Sequence, residues 1–219
     1  MTEVPSSGVQ VTPHRLEAVD LECTRGNRRL ITHLDFVLEA GTLLHVRGPN
    51  GCGKTTLLRA LCGLFEPQEG EIRWDGSCIR SLREEYFREV LYLGHLNGIK
   101  HELTGIENLQ IAATLDGDSV TAAQVWEALK RLGLAGFEDL PAKVLSQGQR
   151  KRVALARLLL SEASLWILDE PFTALDAGAV DLLQALIVEH VEQGGMAVLT
   201  THQEVALTSS QIQTLDLGG

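Results

Sequence analysis

At 219 residues the chain has the size of one domain, or of one domain with a small appended lobe. A composition of 44% apolar and 22% charged residues excludes a disordered or fibrous chain. With 29 acidic against 19 basic residues the net charge is −10, which repels a polyanion at long range and argues against nucleic acid as a partner. Cys23, Cys52, Cys62 and Cys78 are scattered, with neither a C-x-x-C nor a zinc spacing, and the N-terminus lacks the basic-then-apolar pattern of a signal peptide, so a reducing cytosol is the expected compartment. The apolar stretches are interrupted, at Arg157 and at Asp169, well short of the about 20 residues a spanning helix needs, so any membrane role is expected to run through a partner.

Residues 1–13 contain Pro5, Ser6, Ser7, Gly8 and Pro13 and no periodic pattern; they are expected to be a loose extension, with the folded domain over 14–219. Leu16, Val19, Leu21 and Cys23 fall in a strand-like run, Gly26-Asn27 offers a turn, and Phe36, Val37 and Leu38 begin a second strand. Residues 43–46 predict a short strand that runs into a glycine-rich loop, and 54–61 a helix ending near Gly63. A strand over 71–74 followed by the turn Asp75-Gly76, and another over 91–93, complete a β-rich first half. The character then turns helical over about 102–136, where Leu103, Ile106 and Leu109 are spaced by three and Val125, Leu129 and Leu132 by four and three; a helical subdomain is expected over about 96–160. Ser146 opens a helix through about Leu160, and 165–168 is a continuous apolar strand. A helix follows over about 180–192, and 196–200 is strand again. Helices alternating with continuous apolar strands predict an α/β fold on a buried, mainly parallel sheet, and no internal repeat is visible.

The strongest motif is Gly48-Pro49-Asn50-Gly51-Cys52-Gly53-Lys54-Thr55, followed by Thr56, a full G-x-x-x-x-G-K-[ST] match between a strand and a helix. Its glycines let backbone N–H groups curl around a polyphosphate, the helix start adds a positive end, Lys54 neutralises the β and γ phosphates, and Thr55 can ligate Mg²⁺. Cys52 reads as a filler of a variable loop position. Leu165-Trp166-Ile167-Leu168-Asp169-Glu170 delivers two carboxylates at the carboxyl end of a strand, where the phosphate loop also opens. Asp169 suits a Mg²⁺ shell and Glu170 the polarisation of an attacking water. In Leu145-Ser146-Gln147-Gly148-Gln149-Arg150, Ser146 can cap the helix that follows.

Taken in order, the phosphate loop, LSQGQ, LWILDE, Thr173-Ala174-Leu175-Asp176 and Thr201-His202 resemble the signature of ATP-binding cassette ATPases over roughly residues 15–217. The resemblance implies a P-loop fold with a β-rich N-terminal subdomain and a helical insert, and ATP hydrolysis with Mg²⁺. It further implies a homodimer in which ATP on one phosphate loop is capped in trans by Ser146, Gln147, Gly148 and Gln149 of the other subunit. Asp176 would communicate between the two sites, and His202 would bridge the γ-phosphate and Glu170. Three positions depart from the family pattern: Gln147 stands where glycine is usual, Arg25 where an aromatic ring stacks on the base, and His95 where a glutamine senses Mg²⁺ and the membrane partner.

Gly94-His95, Gly98-Ile99-Lys100, Leu103-Thr104 leading to Glu107-Asn108-Leu109, Ala135-Gly136-Phe137-Glu138-Asp139 and the run from Arg152 to Leu158 resemble more narrowly the cassette subunits of haem exporters used in cytochrome c maturation. That resemblance implies a peripheral location on the cytoplasmic face of a bacterial inner membrane, beneath integral membrane subunits. An exporter of lipid, drug or peptide is the alternative, as is a nucleotide switch outside transport. The seven histidines form no paired-ligand pattern and no C-x-x-C-H is present, so direct haem binding is not expected.

Overall fold

The computed structural model describes residues 13–202 and 211–218; the expected extension, all but Pro13, lies outside them. The chain opens with a hairpin of β1 (Arg15–Arg25) and β2 (Arg28–Glu39) around Gly26-Asn27, where Gly26 takes φ +61°. β2 therefore starts at Arg28, eight residues before Phe36. Arg28, Arg29, Thr32 and His33 are exposed and flank the adjacent apolar pair Leu30-Ile31, so the first half of this strand is held by its pairing with β1 rather than announced by alternation. β3 (Leu43–Arg47) runs into the glycine-rich loop and α1 (Lys54–Leu61). β4 (Glu69–Trp74) and the two-residue β5 (Ser77–Cys78) complete an antiparallel sheet of order β2-β1-β4-β5. Two short helices, α2 (Ile79–Leu82) and α3 (Glu84–Arg88), lead to β6 (Val90–Leu93); four and five residues are too few for a helical period to show in the sequence.

The segment expected to be a helical subdomain contains α4 (Gly105–Asp116), α5 (Ala122–Arg131) and α6 (Gln147–Leu155). Each begins with a capping box, at Thr104/Glu107, Thr121/Gln124 and Ser146/Gln149, in which side chain and backbone satisfy each other's orphan donors. The helix after Ser146 stops being α-helical at Leu155 and tightens into a 3₁₀ turn over Ala156–Leu159, short of the expected end at Leu160. Then come β7 (Leu165–Asp169), α7 (Ala177–Glu192), β8 (Met196–Thr200) and β9 (Ile212–Asp216). The second sheet is wholly parallel, in the order β6-β7-β8-β3-β9. β9 was not legible because, at the edge of the sheet, it is mostly exposed and carries no apolar run.

β7 and β8 are buried at every position, which is why they read as continuous apolar strands. Their alternate residues feed two cores. Leu165, Ile167, Met196 and Val198 join α1 and the antiparallel sheet on one face, while Trp166, Leu168, Ala197 and Leu199 join α7 and the helical segment on the other. This double burial fixes the register Leu168↔Leu199 and Asp169↔Thr200, and so sets the carboxyl ends of β3, β6, β7 and β8 along one edge.

Candidate active site

The phosphate loop leaves β3 at that edge. Gly48 is required there twice over: its φ is +145°, and a Cβ would lie 2.2 Å from the Leu217 carbonyl oxygen. Gly53, φ +118°, sits against Leu30, to whose Cβ a side chain would come within 3.1 Å. Through that contact the first hairpin is seated on the loop. Cys52 turns inward, half-buried against the core behind the loop, so it is a packing residue. Lys54, 8% exposed, donates through Nζ to the carbonyls of Gly48 at 2.8 Å and Pro49 at 3.1 Å.

Thr55 Oγ1 donates to Asp169 Oδ2 at 2.9 Å, joining the first turn of α1 to the end of β7. The other Asp169 oxygen accepts at 2.8 Å from Thr200 Oγ1, which in turn accepts from the Glu170 N–H at 3.0 Å. Thr200 is fully buried. It escaped the sequence reading because a single hydroxyl at a strand end has no motif; only the sheet register sets it opposite Asp169. Glu170 takes φ +51°, an uncommon backbone for a side-chain-bearing residue, held by this network. Its Oε2 accepts from the His202 N–H at 3.3 Å. His202 Nε2 stands 3.4 Å from Oε1 without hydrogen-bond geometry, and that buried oxygen has no hydrogen-bond partner among the described residues. A carboxylate with one free lone-pair face is a suitable acceptor for a water proton.

These groups line a cleft of about 700 Å³. Asn50, Gly51, Gly53, Lys54, Thr55 and Thr56 of the phosphate loop and α1 line it together with Asp169, Glu170, His202 and His95. Arg25 and Arg28, paired across the hairpin, and Leu30 line it from the first hairpin. Arg25 thus reaches the cleft, and Arg28, which the sequence reading passed over, reaches it as well.

Ser146, Gln147, Gly148, Gln149 and Asp176 do not line this cleft. Ser146 Oγ caps α6 by accepting from the Gln149 N–H at 3.1 Å, and Gln149 Oε1 accepts from the Ser146 N–H at 2.8 Å. Ser146 and Gln147 are exposed, and Gln147 faces a groove shared with residues 95–101 and Arg150. Gly148 leaves no room for a side chain that would not press on the Ala174 carbonyl, 3.1 Å from a Cβ. Asp176 caps α7 through the Ala179 N–H and pairs with Arg152 of α6, so the start of α6 and the turn before α7 form one unit. Lys151 of α6 is 6% exposed; burial pushes its pKa down, and the charges of Asp169 and Glu170 pull it back up.

The chain belongs to the ABC transporter family, whose sequence model matches residues 31–173. It is an ATP-binding cassette ATPase. It is 57% identical over 202 residues to the cytochrome c biogenesis ATP-binding export protein CcmA of Nitrosospira multiformis, an alignment covering 92% of this chain and 98% of that protein. It is 53% identical to the protein of the same name from Dechloromonas aromatica, covering 93% and 100%. A putative ABC transporter ATP-binding protein from Pyrococcus furiosus superposes with a TM-score of 0.79 at 25% identity, over 92% of this chain and 97% of that one.

Proposed function

We propose that the chain is the ATPase subunit of the haem-export complex for cytochrome c biogenesis. In this reading it works as a homodimer with integral membrane subunits, CcmB-like together with CcmC-like and CcmD-like, on the cytoplasmic face of the bacterial inner membrane. The identity to CcmA proteins along nearly their whole length supports the assignment. No described helix is long and apolar enough to cross a membrane, which fits a subunit attached through partners. The loop after β6 supports the same attachment: Leu96 there is 86% exposed beside His95, so a membrane subunit docked on it would sit next to the cleft. Release of a haem-loaded chaperone on the far side of the membrane is the work assigned to hydrolysis; no haem site is assigned to this chain.

The observation that carries the ATPase chemistry is the chain of contacts Thr55–Asp169–Thr200–Glu170–His202 at the edge where the phosphate loop opens. Lys54, now held by the loop's own carbonyls, exchanges them for the β and γ phosphates of ATP. Thr55 Oγ1 and Asp169 are two hard oxygen donors within 2.9 Å of each other, which fits Mg²⁺, an ion held by one or two carboxylates together with substrate phosphates. When bound, Mg²⁺ neutralises charge on the phosphate oxygens. Glu170 takes the proton of the attacking water, and His202 steadies the γ-phosphate and the Glu170 carboxylate. Ser146 and the amides at the start of α6 cap the γ-phosphate bound to the partner protomer: Ser146 Oγ accepts a hydrogen bond within its own chain, so its proton remains free to donate. Arg25 offers its guanidinium plane to the base. Asp176 links the cap to α7, and His95 couples the cleft to the membrane subunits.

Equilibrium binding of a fluorescent ATP analogue tests the site. Lys54→Ala is expected to weaken binding by at least about tenfold, the loss of one charge-assisted contact. Unchanged affinity would remove the loop from phosphate binding.

A further inference from the structure

A second cleft, of about 470 Å³, adjoins the nucleotide cleft and shares Thr55, His95 and Asp169 with it. Three cations stand in its lining: Arg59 from the last turn of α1, Lys151 from α6, and Arg157 from the 3₁₀ turn that follows. Such a concentration is unexpected in a chain of net charge −10. Arg157 pairs with Asp116 through Nη2 at 2.9 Å but leaves a buried Nε without a hydrogen bond. Lys151 is more than nine-tenths buried, lines the cleft, and among the described residues makes no hydrogen bond or ion pair. Asp169 forms no ion pair with it; its two oxygens accept from the hydroxyls of Thr55 and Thr200. A buried ammonium without a hydrogen bond is costly, and three cations against the one carboxylate of Asp169 in the lining of one small cleft match a small multivalent anion.

We propose that this second cleft is a binding site for inorganic phosphate, which receives the phosphate split from ATP in the adjoining cleft and passes it out of the protein. The inference rests on the ATPase reading above. Thr55, His95 and Asp169 line both clefts, and the second is lined as well by Lys151 and the exposed Arg59. A small free anion suits the site better than the carboxylate of a docked protein, because Lys151 is 6% exposed and lines a cleft that shares Thr55, His95 and Asp169 with the nucleotide cleft.

The test is equilibrium dialysis of the full chain against radiolabelled inorganic phosphate, with saturating Mg²⁺ and the non-hydrolysable analogue AMP-PNP to fill the first cleft. We expect one phosphate retained per chain, with affinity lowered at least about tenfold by Lys151→Gln and by Arg59→Gln, the latter an exposed position where folding is not at stake. The proposal is overturned if phosphate is not retained beside the analogue, or if both variants hold it as tightly as the unmodified chain. Retention of a poly-glutamate peptide in place of phosphate would assign the cleft to an acidic protein partner and equally overturn it. Failure of AMP-PNP itself to bind, measured in the same cells, would instead bring down the ATPase reading.

Discussion

Thr200 ties the two acids of the site together with a single hydroxyl, donating to Asp169 and accepting from the Glu170 amide. Thr200→Val keeps the shape and removes that link, leaving Asp169 Oδ1 and the Glu170 N–H without this partner. A loss of about 1–3 kcal/mol in urea-unfolding stability is expected, together with at least a tenfold fall in the ATP turnover number. Unchanged turnover would show that the backbone of Glu170, at φ +51°, is held by other means. Lys54, Thr55, Asp169 and Glu170 were legible because each sits in a motif whose spacing states its chemistry. Thr200, Arg28 and Lys151 were not. Each becomes relevant only through pairing or packing between distant segments: Asp169 with Thr200, Arg25 with Arg28, and α6 against the loop after β6.

Among the elements, the loop between β6 and α4 has little regular structure yet a fixed shape, because Asn108, 7% exposed, grips it from α4. Its Oδ1 accepts from the Lys100 N–H at 2.7 Å, and its Nδ2 donates to the carbonyls of Lys100 at 3.0 Å and Thr104 at 2.8 Å. Asn108→Ala leaves the Lys100 N–H unpaired, whereas the carbonyls of Thr104 and Lys100 keep the N–H groups of Asn108 and Leu103, and is expected to cost about 2 kcal/mol. Amide exchange over residues 95–104 should rise while that of β7 and β8 stays slow; uniform exchange across the chain would contradict a local hold. α4 and α5 announced themselves only as apolar spacing over about 102–136, and α6 by its Ser146 cap. α6 tightens into a 3₁₀ turn whose residues, Ala156 and Leu158 among them, stay in the core, so the apolar pattern continues past the point where the hydrogen bonding changes. The polar start of β2 and the exposed β9 lack that pattern, and their places came only from pairing with β1 and β3.

For the whole molecule, the parallel sheet sorts function to one end. At its carboxyl edge lie the cleft and its strained residues, and at the opposite end His190 of α7 stacks on Trp166, ring centroids 3.9 Å apart, and fills the space that Gly195 leaves open. Burial lowers the pKa of His190, outweighing its hydrogen bonds to backbone oxygens, so the fold favours the neutral ring. Because the unfolded chain then binds more protons, this contribution is complete above the ordinary histidine value of about 6.5 and is lost as pH falls from there through the lower folded value. Urea unfolding at pH 7.5 and 5.5 should show a smaller acid loss for His190→Gln than for the unmodified chain; an equal loss would mean that the ring carries no linkage.

The arrangement of the site has a consequence at the same scale. Ser146 and Gln147 are exposed and lie outside the cleft of their own chain, so in the function proposed above the cap on the γ-phosphate is supplied by a second protomer. Sedimentation of Glu170→Gln in MgATP tests this most directly. With the proton acceptor removed and the binding groups intact, the account predicts a stable dimer that appears with MgATP, persists because turnover is abolished, and is absent with ADP. A variant that stays monomeric while saturated with MgATP, or that hydrolyses ATP at the unmodified rate, would contradict it.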